Sequence, residues 1–152
     1  MEKILVFDMD GTIADLYGVE NWLPMLRAEN STPYAIAKPL YDMDVLNTII
    51  ESLRMLGWKI AVTTWGAKNA SFSYDRAVAA IKKSWLESYD FPFDYFFFQR
   101  YGTSKNEATE DFGGRQILVD DNEDVRNSWN GETIDARLDI IESLIKLLET
   151  EV

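Results

Sequence analysis

The sequence predicts an α/β fold, a three-layer sandwich built around a mainly parallel β-sheet. Four short apolar runs show no alternation of polar and apolar residues, which is typical of strands buried on both faces. Segments with apolar residues at helical spacing separate these runs, and strands that alternate with helices favour a parallel sheet between helical layers. The 152 residues suffice for one core of ordinary size, so we expect a single domain.

The first predicted strand, residues 4–7, ends at Asp8, and a helix follows it after a long connection. In that helix Asp44 is the expected N-cap, and Gly57 lies just past the C-terminal end. The remaining predicted strands occupy residues 59–64, 95–98 and 116–119.

Two further helices complete the predicted alternation. Between the second and third strands, one face of a helix carries Tyr74, Ala77, Val78, Ile81 and Trp85. The last helix lies near residues 135–149, with a stripe formed by Leu138, Ile141, Ile145 and Leu148. We expect both stripes to pack against the sheet, because a stripe at this spacing forms one face of a helix.

Residues 16–41 interrupt the alternation of strands and helices. A connection between a strand and the next helix usually has about 2–6 residues, and this segment is several times longer. It carries several large apolar side chains, among them Trp22 and Tyr34. We therefore expect either a short helix that follows the first strand or a small insertion that lies over its carboxyl end.

The composition excludes several classes of chemistry. The chain has 15 basic and 26 acidic residues and a formal net charge of -11, so we expect no binding to a nucleic acid polymer. It has no His and no Cys, which excludes thiol catalysis and leaves carboxylates and hydroxyls as the main metal ligands. No segment has the length of a membrane span or the pattern of a signal peptide, so we expect a cytoplasmic protein without a membrane partner.

Polar side chains follow three of the predicted strands. Asp8 and Asp10 close the first strand, Thr64 closes the second, and Asp120 and Asp121 close the last. Ligands of open α/β sheets bind at the carboxyl ends of the strands, where these side chains converge. Clustered carboxylates repel one another unless a cation lies among them. An oxygen-only site favours Mg²⁺, which also accepts a substrate phosphate oxygen.

The segment Asp8-Met9-Asp10-Gly11-Thr12 after an apolar strand resembles the first motif of the haloacid dehalogenase (HAD) superfamily of phosphohydrolases. Later residues are similar to that family's other motifs in the same order: Thr64 at a strand end, then Lys105, then Asp120-Asp121 at a strand end. The resemblance covers the chain from about residue 3 to residue 125. It implies the Rossmann-like HAD fold, with the long insertion as a small cap, and a small-molecule phosphate ester as substrate.

The resemblance also implies a role for each motif residue. Asp8 is the nucleophile that forms an aspartyl-phosphate, and Asp10 is the acid/base that protonates the leaving oxygen and then activates water. Asp8, the backbone carbonyl of Asp10 and Asp120 hold Mg²⁺, while Asp121 ligates the ion through water or orients the ligands. The substrate phosphate is contacted by Thr64, Lys105 and Gly11.

Two of these assignments have competitors in the sequence. Thr63 is the alternative to Thr64 for the phosphate contact. Lys82 and Lys83 are the alternatives to Lys105, although both fall on a helix flank, which is usually a solvated position.

The expected function is that of a Mg²⁺-dependent phosphomonoester hydrolase. The short cap and the acidic pair also resemble 5′(3′)-deoxyribonucleotidases, which implies a (deoxy)nucleoside monophosphate as substrate. Aromatic side chains can stack on a base, and the candidates are Trp22, Tyr34, Tyr41 and Trp65. For at least two of the three in the insertion, we expect instead that they form the insertion's own small core.

The alternative functions are a receiver-like signalling module and a catalytically degenerate module that binds Mg²⁺ and phosphate. A receiver also uses acids, a Thr and a Lys around Mg²⁺, but its acidic pair follows the first strand and its Lys comes last. Here Asp120 and Asp121 come late and Lys105 precedes them, so the order argues against a receiver.

Overall fold

The computed structural model describes residues 2–151. Along the chain the elements are β1 (Lys3–Phe7), β2 (Ala14–Asp15), α1 (Trp22–Arg27), α2 (Thr32–Ile36), β3 (Lys38–Pro39), α3 (Met43–Met55), β4 (Trp58–Trp65), α4 (Phe72–Ser88), β5 (Tyr95–Gln99), α5 (Asn106–Thr109), β6 (Arg115–Asp120), α6 (Glu123–Ser128), β7 (Glu132–Asp135) and α7 (Ile140–Glu151). Within these residues no helix combines the length and the apolar character that crossing a bilayer requires.

The central sheet has five parallel strands in the order β5-β4-β1-β6-β7. Side chains of β1 alternate between two hydrophobic clusters: Leu5 and Phe7 pack with residues of α3, α4 and α7, whereas Ile4 and Val6 pack with residues of α6. Helices therefore cover both faces of the sheet. This arrangement confirms the predicted α/β sandwich with a parallel, Rossmann-like sheet.

All four predicted strands are present in the central sheet, and its fifth strand, β7, was not revealed by the sequence. The residues of β7 are half-buried or exposed, because β7 lies at the edge of the sheet and pairs only with β6. One of the four predicted strands, β5, is not buried on both faces as expected, because it lies at the opposite edge and its residues are half-buried or exposed. The last helix correspondingly begins at Ile140 rather than near residue 135, and the exposed Leu138 precedes it. The fully packed side of this helix is formed by Ile140, Leu144 and Leu147.

The start of α3 also differs from the prediction by two residues. Its N-cap is Asp42, whose carboxylate accepts hydrogen bonds from the backbone N–H groups of Asp44 and Val45 at 3.0 and 3.3 Å. Asp44 instead lies in the first turn, where its charge is favourable beside the positive end of the helix dipole. Gly57 follows the helix with a φ of 97°, as a glycine after a helix end is expected to do.

Residues 16–41 contain α1, α2 and the strand β3, which pairs antiparallel with β2. Their contact with the rest of the chain is mainly with α4, where Leu16 and Tyr34 pack against Tyr74 and Val78. The carboxylate of Glu29 accepts hydrogen bonds from the backbone N–H and the hydroxyl of Ser71, at 2.8 and 2.6 Å. The insertion is thus attached to the N-terminal half of α4, next to the carboxyl end of the sheet.

Candidate active site

Three carboxylates meet at the carboxyl ends of β1 and β6. Phe7 is paired with Val119, and the backbone N–H of Asp8 donates to the carbonyl of Val119 at 2.9 Å, so Asp8 and Asp120 lie side by side. One carboxylate oxygen each of Asp8, Asp120 and Asp121 lies within 4.8 Å of the others. The two motifs that are most distant in the sequence therefore form one acidic cluster.

Lys105 lies between two of these carboxylates. Its Nζ donates to Asp8 Oδ1 and to Asp120 Oδ2, each at 2.8 Å, and its side chain is almost fully buried. Burial alone would lower the pKa of Lys105, but the charges of Asp8 and Asp120 outweigh this effect and raise it. Lys105 is therefore a permanent cation in the cluster, whereas its competitor Lys83 is exposed on α4.

One cation does not neutralise three carboxylates. Burial, followed by the charge of Asp8, raises the pKa of Asp121 to about 8. The same two causes raise the pKa of Asp120, although Lys105 opposes them. Both shifts reflect repulsion among buried acids that lie close together.

These residues fit Mg²⁺. The donors are carboxylate oxygens, and ligand atoms around an octahedral Mg²⁺ ion are separated by about 3–4 Å, so oxygens within 4.8 Å need only a small adjustment to share one ion. The raised pKa values of Asp120 and Asp121 agree with this, because a cation among these acids would relieve their repulsion.

Gly11 is required beside this cluster on two grounds. Its φ is 81°, in the left-handed region that side chains disfavour. A Cβ atom at this position would also overlap the carboxylate of Asp121. The glycine therefore makes room for an acid of the cluster, and its predicted contact with a phosphate stays a prediction.

Asp10 is bound by a lysine that the sequence placed in solvent. The Nζ of Lys82 donates to Asp10 Oδ2 at 2.7 Å, and Lys82 is fully buried rather than solvated. Lys82 lies four residues after Val78 and three before Trp85, so it falls on the buried stripe of α4. This spacing is the feature of the sequence that distinguishes Lys82 from its neighbour Lys83. Burial raises the pKa of Asp10 more than the charge of Lys82 lowers it.

The two candidate threonines at the end of β4 are both fully buried. Thr64 Oγ1 accepts a hydrogen bond from Lys82 at 2.7 Å, and Thr63 Oγ1 has no hydrogen-bond partner within residues 2–151. Because Val62 is paired with Phe7, Thr63 lies level with Asp8 on the same face of the sheet. The phosphate contact assigned to Thr64, or to Thr63 in its place, stays a prediction.

A cavity of about 340 Å³ opens above the acidic cluster. Asp8, Asp10 and Lys105 are at its polar end. Its apolar wall has two aromatic pairs, one from the insertion and one from the last residue of β4 and the loop after β5. Ring centroids are 4.9 Å apart in the first pair and 5.2 Å apart in the second, and the four residues are Tyr17 with Trp22 and Trp65 with Tyr101.

Two of the four candidate stacking residues have other contacts. The ring of Tyr34 lies over the Nζ of Lys82 at 4.8 Å, and only 4% of Tyr34 is exposed, so it belongs to the core beneath the insertion. The hydroxyl of Tyr41 donates to the carbonyl of Leu138 at 3.4 Å, before the start of α7. Trp22 and Trp65 remain as the predicted stacking residues that line the cavity with an accessible ring.

Similarity to one solved structure supports the fold. No family model and no curated protein sequence matches the chain. A chain in the structure of the Pnkp1/Rnl/Hen1 RNA repair complex is similar with a TM-score of 0.58 and 16% identity over 89% of this chain, which spans only 42% of that chain. The D,D-heptose 1,7-bisphosphate phosphatase from Burkholderia thailandensis aligns with 15% identity and a TM-score of 0.45, and the alignment covers 97% of this chain and 99% of the phosphatase.

The raised pKa values predict an unusual pH dependence of stability without metal. Where a carboxyl has a higher pKa in the folded than in the unfolded chain, the folded protein loses stability as pH rises from the lower to the higher of these two pKa values. For Asp121 this interval runs from about pH 4 to about pH 8. After allowance for the partial exposure of Asp121, we expect the free energy of unfolding to fall by about 1–3 kcal/mol over this interval.

Urea unfolding at a series of pH values in chelator measures this fall. The variant Asp121→Asn should lose most of it, and Mg²⁺ should remove it in the wild type because the ion replaces the proton. A metal-free protein whose stability rises steadily from pH 5 to pH 8 would show that the cluster retains no proton.

Proposed function

We propose that the chain is a Mg²⁺-dependent phosphomonoester hydrolase that works through an aspartyl-phosphate on Asp8. The observation that carries the proposal is the acidic cluster of Asp8, Asp120 and Asp121 around Lys105, at the end of a cavity large enough for a small molecule. Such a cluster is costly to keep in a fold, and an anionic substrate needs the cation that the cluster would bind.

Asp8 is well placed to act as the nucleophile. Its Oδ1 accepts a hydrogen bond from Lys105, and its Oδ2 accepts one from Thr12 at 3.1 Å, so the carboxylate is held in one orientation. In the first step a carboxylate oxygen attacks phosphorus, and the bond to the leaving oxygen breaks. Lys105 would contact the transferring phosphoryl group, where its charge offsets the negative charge of the oxygens.

Asp10 would carry the proton in both steps. Asp10 lines the cavity, and burial raises the pKa of its carboxyl although Lys82 opposes the shift, which brings the pKa closer to the range that proton transfer near neutral pH needs. It gives its proton to the leaving oxygen in the first step. In the second step the Asp10 carboxylate takes a proton from water, which attacks phosphorus and frees both phosphate and Asp8.

Asp8, Asp120, Asp121 and the backbone carbonyl of Asp10 are the groups that would hold Mg²⁺. When bound, the ion supplies charge neutralisation and orientation of a phosphate oxygen. The cluster brings its carboxylates together before substrate binds, and Lys105 supplies the second positive charge.

A panel of phosphate monoesters tests the proposed activity directly. Purified protein with Mg²⁺ should release inorganic phosphate from nitrophenyl phosphate and from at least one class of sugar or nucleoside monophosphate. The heat-inactivated protein is the control. Binding of phosphate with no release from any ester would instead indicate the degenerate module that binds Mg²⁺ and phosphate.

The aromatic wall supports a nucleoside monophosphate as the substrate. Its rings face the cavity from two sides, and the Trp65 ring is held in place because its Nε1 donates to the carbonyl of Thr103 at 2.8 Å. Any nucleobase can stack on such rings, whereas recognition of a sugar phosphate needs hydrogen-bonding groups rather than aromatic rings.

Removal of a stacking ring should weaken nucleotide turnover selectively. Base–aromatic stacking is worth about 1–3 kcal/mol, so Trp22→Ala or Trp65→Ala should lower kcat/KM for a deoxynucleoside monophosphate by about 5- to 150-fold. The same variants should leave kcat/KM for nitrophenyl phosphate within about threefold. Phe72→Ala, which removes an exposed ring on α4 outside the cavity, is the matched control. Equal losses on both substrates would assign the rings to the fold rather than to base recognition.

A further inference from the structure

Lys82 is a buried charged residue on a helix face where an apolar residue would pack equally well. Its Nζ is fully buried and donates to three acceptors, which are Asp10 Oδ2 at 2.7 Å, Thr64 Oγ1 at 2.7 Å and the carbonyl of Trp65 at 2.8 Å. An ammonium group has three donors, so every N–H is used. Burying a charge is costly, and an apolar residue on the same stripe of α4 would avoid that cost.

The contacts of Lys82 fix the position of the Asp10 carboxyl. Thr64 and Trp65 belong to the rigid end of β4, whereas Asp10 lies in the loop after β1. Lys82 therefore ties a loop carboxyl to the sheet. Asp10 is also not among the three carboxylates of the acidic cluster within the described residues, although it follows Asp8 by only two positions.

We propose that Lys82 is a positioning residue that holds the carboxyl of Asp10 over the cavity and apart from the acidic cluster. Without Lys82, the Asp10 side chain would be free to turn towards the cluster and bind a cation there. It would then no longer face the leaving group. The assignment rests on the proposed function, because proton transfer is the task for which Asp10 must be kept available.

The insertion contributes to the same arrangement through Tyr34. Its ring covers Lys82 Nζ at 4.8 Å, a distance typical of a cation–π contact. Tyr34 belongs to α2, so the position of Lys82, and through it that of Asp10, depends on the insertion being packed on α4. Asp10 is thereby held from the strand end and from the insertion together.

The test compares leaving groups in the first turnover. Lys82→Met keeps the unbranched stem of the side chain and removes the ammonium group, and Lys83→Met on the exposed face of the same helix is the matched control. General acid catalysis contributes about 10²–10⁴-fold. We therefore expect Lys82→Met to slow first-turnover release from an alkyl phosphate by about 10²-fold or more. Nitrophenol, an activated leaving group, should be released within about fivefold of the wild-type rate, and KM should change little.

A double variant shows whether Lys82 acts through Asp10. Adding Lys82→Met to Asp10→Asn should cost less than about threefold in the same assay, because the group that Lys82 positions is already lost. Lys82→Gln keeps an N–H donor and should lose less than Lys82→Met, and it serves if the Met variant does not fold. A crystal structure of either variant should show the Asp10 carboxyl displaced, a result that needs no turnover.

Three results would overturn the assignment while leaving the phosphatase proposal intact. These are equal slowing of both esters, losses that multiply in the double variant, and an Asp10 carboxyl in its original place without Lys82. Failure of the wild type to hydrolyse either ester would instead contradict the proposed function, and the position of Asp10 in the variant structure would still decide whether Lys82 positions it.

Discussion

Asp8→Asn should abolish phosphate release from every ester that the wild type hydrolyses. An amide cannot replace the carboxylate as a nucleophile, and loss of a nucleophile typically costs about 10⁴-fold or more. The fold should survive, because Asn keeps the size of the side chain and an oxygen that accepts from Lys105. Steady-state release of inorganic phosphate, measured beside a thermal melt, gives the result.

The matched control is Asp124→Asn. Asp124 is an exposed acid in the first turn of α6, close in sequence to the acidic cluster but not part of it. This variant should retain the wild-type rate. A near-wild-type rate from Asp8→Asn would assign the nucleophile to another group or to water.

Removal of divalent metal should also lower phosphate release by orders of magnitude. Without a cation, a phosphate dianion approaching Asp8, Asp120 and Asp121 meets several negative charges, and Lys105 offsets only one of them. Metal ions contribute several kcal/mol to transition-state stabilisation, and each 1.36 kcal/mol is a factor of ten in rate. We expect excess chelator to lower turnover by about 10²–10⁴-fold, and Mg²⁺ in excess over the chelator to restore it.

Ca²⁺ added in place of Mg²⁺ is an informative control. It prefers longer bonds and more ligands than Mg²⁺, so it should occupy the site without restoring the full rate. Undiminished activity in chelator, with metal removal confirmed by elemental analysis, would exclude the site assigned to the acidic cluster.

The buried strands were the most predictable part of the fold. The runs of β1, β4 and β6 are apolar without alternation because both faces of the sheet are covered there, and all four predicted segments are found where the sequence placed them. The fourth, β5, lies at the edge of the sheet with half-buried or exposed residues, and it was found because its aromatic residues still form an apolar run. The edge strand β7 was missed because its sequence Glu-Thr-Ile-Asp contains a single apolar residue, so it has no apolar run to detect. The N-cap of α3 was placed two residues late because Asp42 and Asp44 are equally good caps by residue type.

The candidate site was predictable where its residues end strands. Asp8, Asp10, Asp120 and Asp121 could be located from the sequence, since the carboxyl ends of parallel strands meet. The burial of Lys82 was not foreseen although Lys82 lies on the apolar stripe of α4. The acid that compensates its charge, Asp10, lies 72 positions away in the sequence, so the pair could not be recognised. The contact of Tyr34 with Lys82 was missed for the same reason, since it joins the insertion to α4.

The most direct measurement of the central claim is a search for phosphate attached to Asp8. In Asp10→Asn the nucleophile remains, but the base that activates water is lost, so the covalent intermediate should persist. After mixing with Mg²⁺ and nitrophenyl phosphate, acid quenching, proteolysis and mass spectrometry should find one phosphoryl group on the peptide that contains Asp8, and none in Asp8→Asn. Phosphate release by the wild type, combined with an unmodified Asp8 in the Asp10→Asn variant at every quench time, would contradict the proposed mechanism.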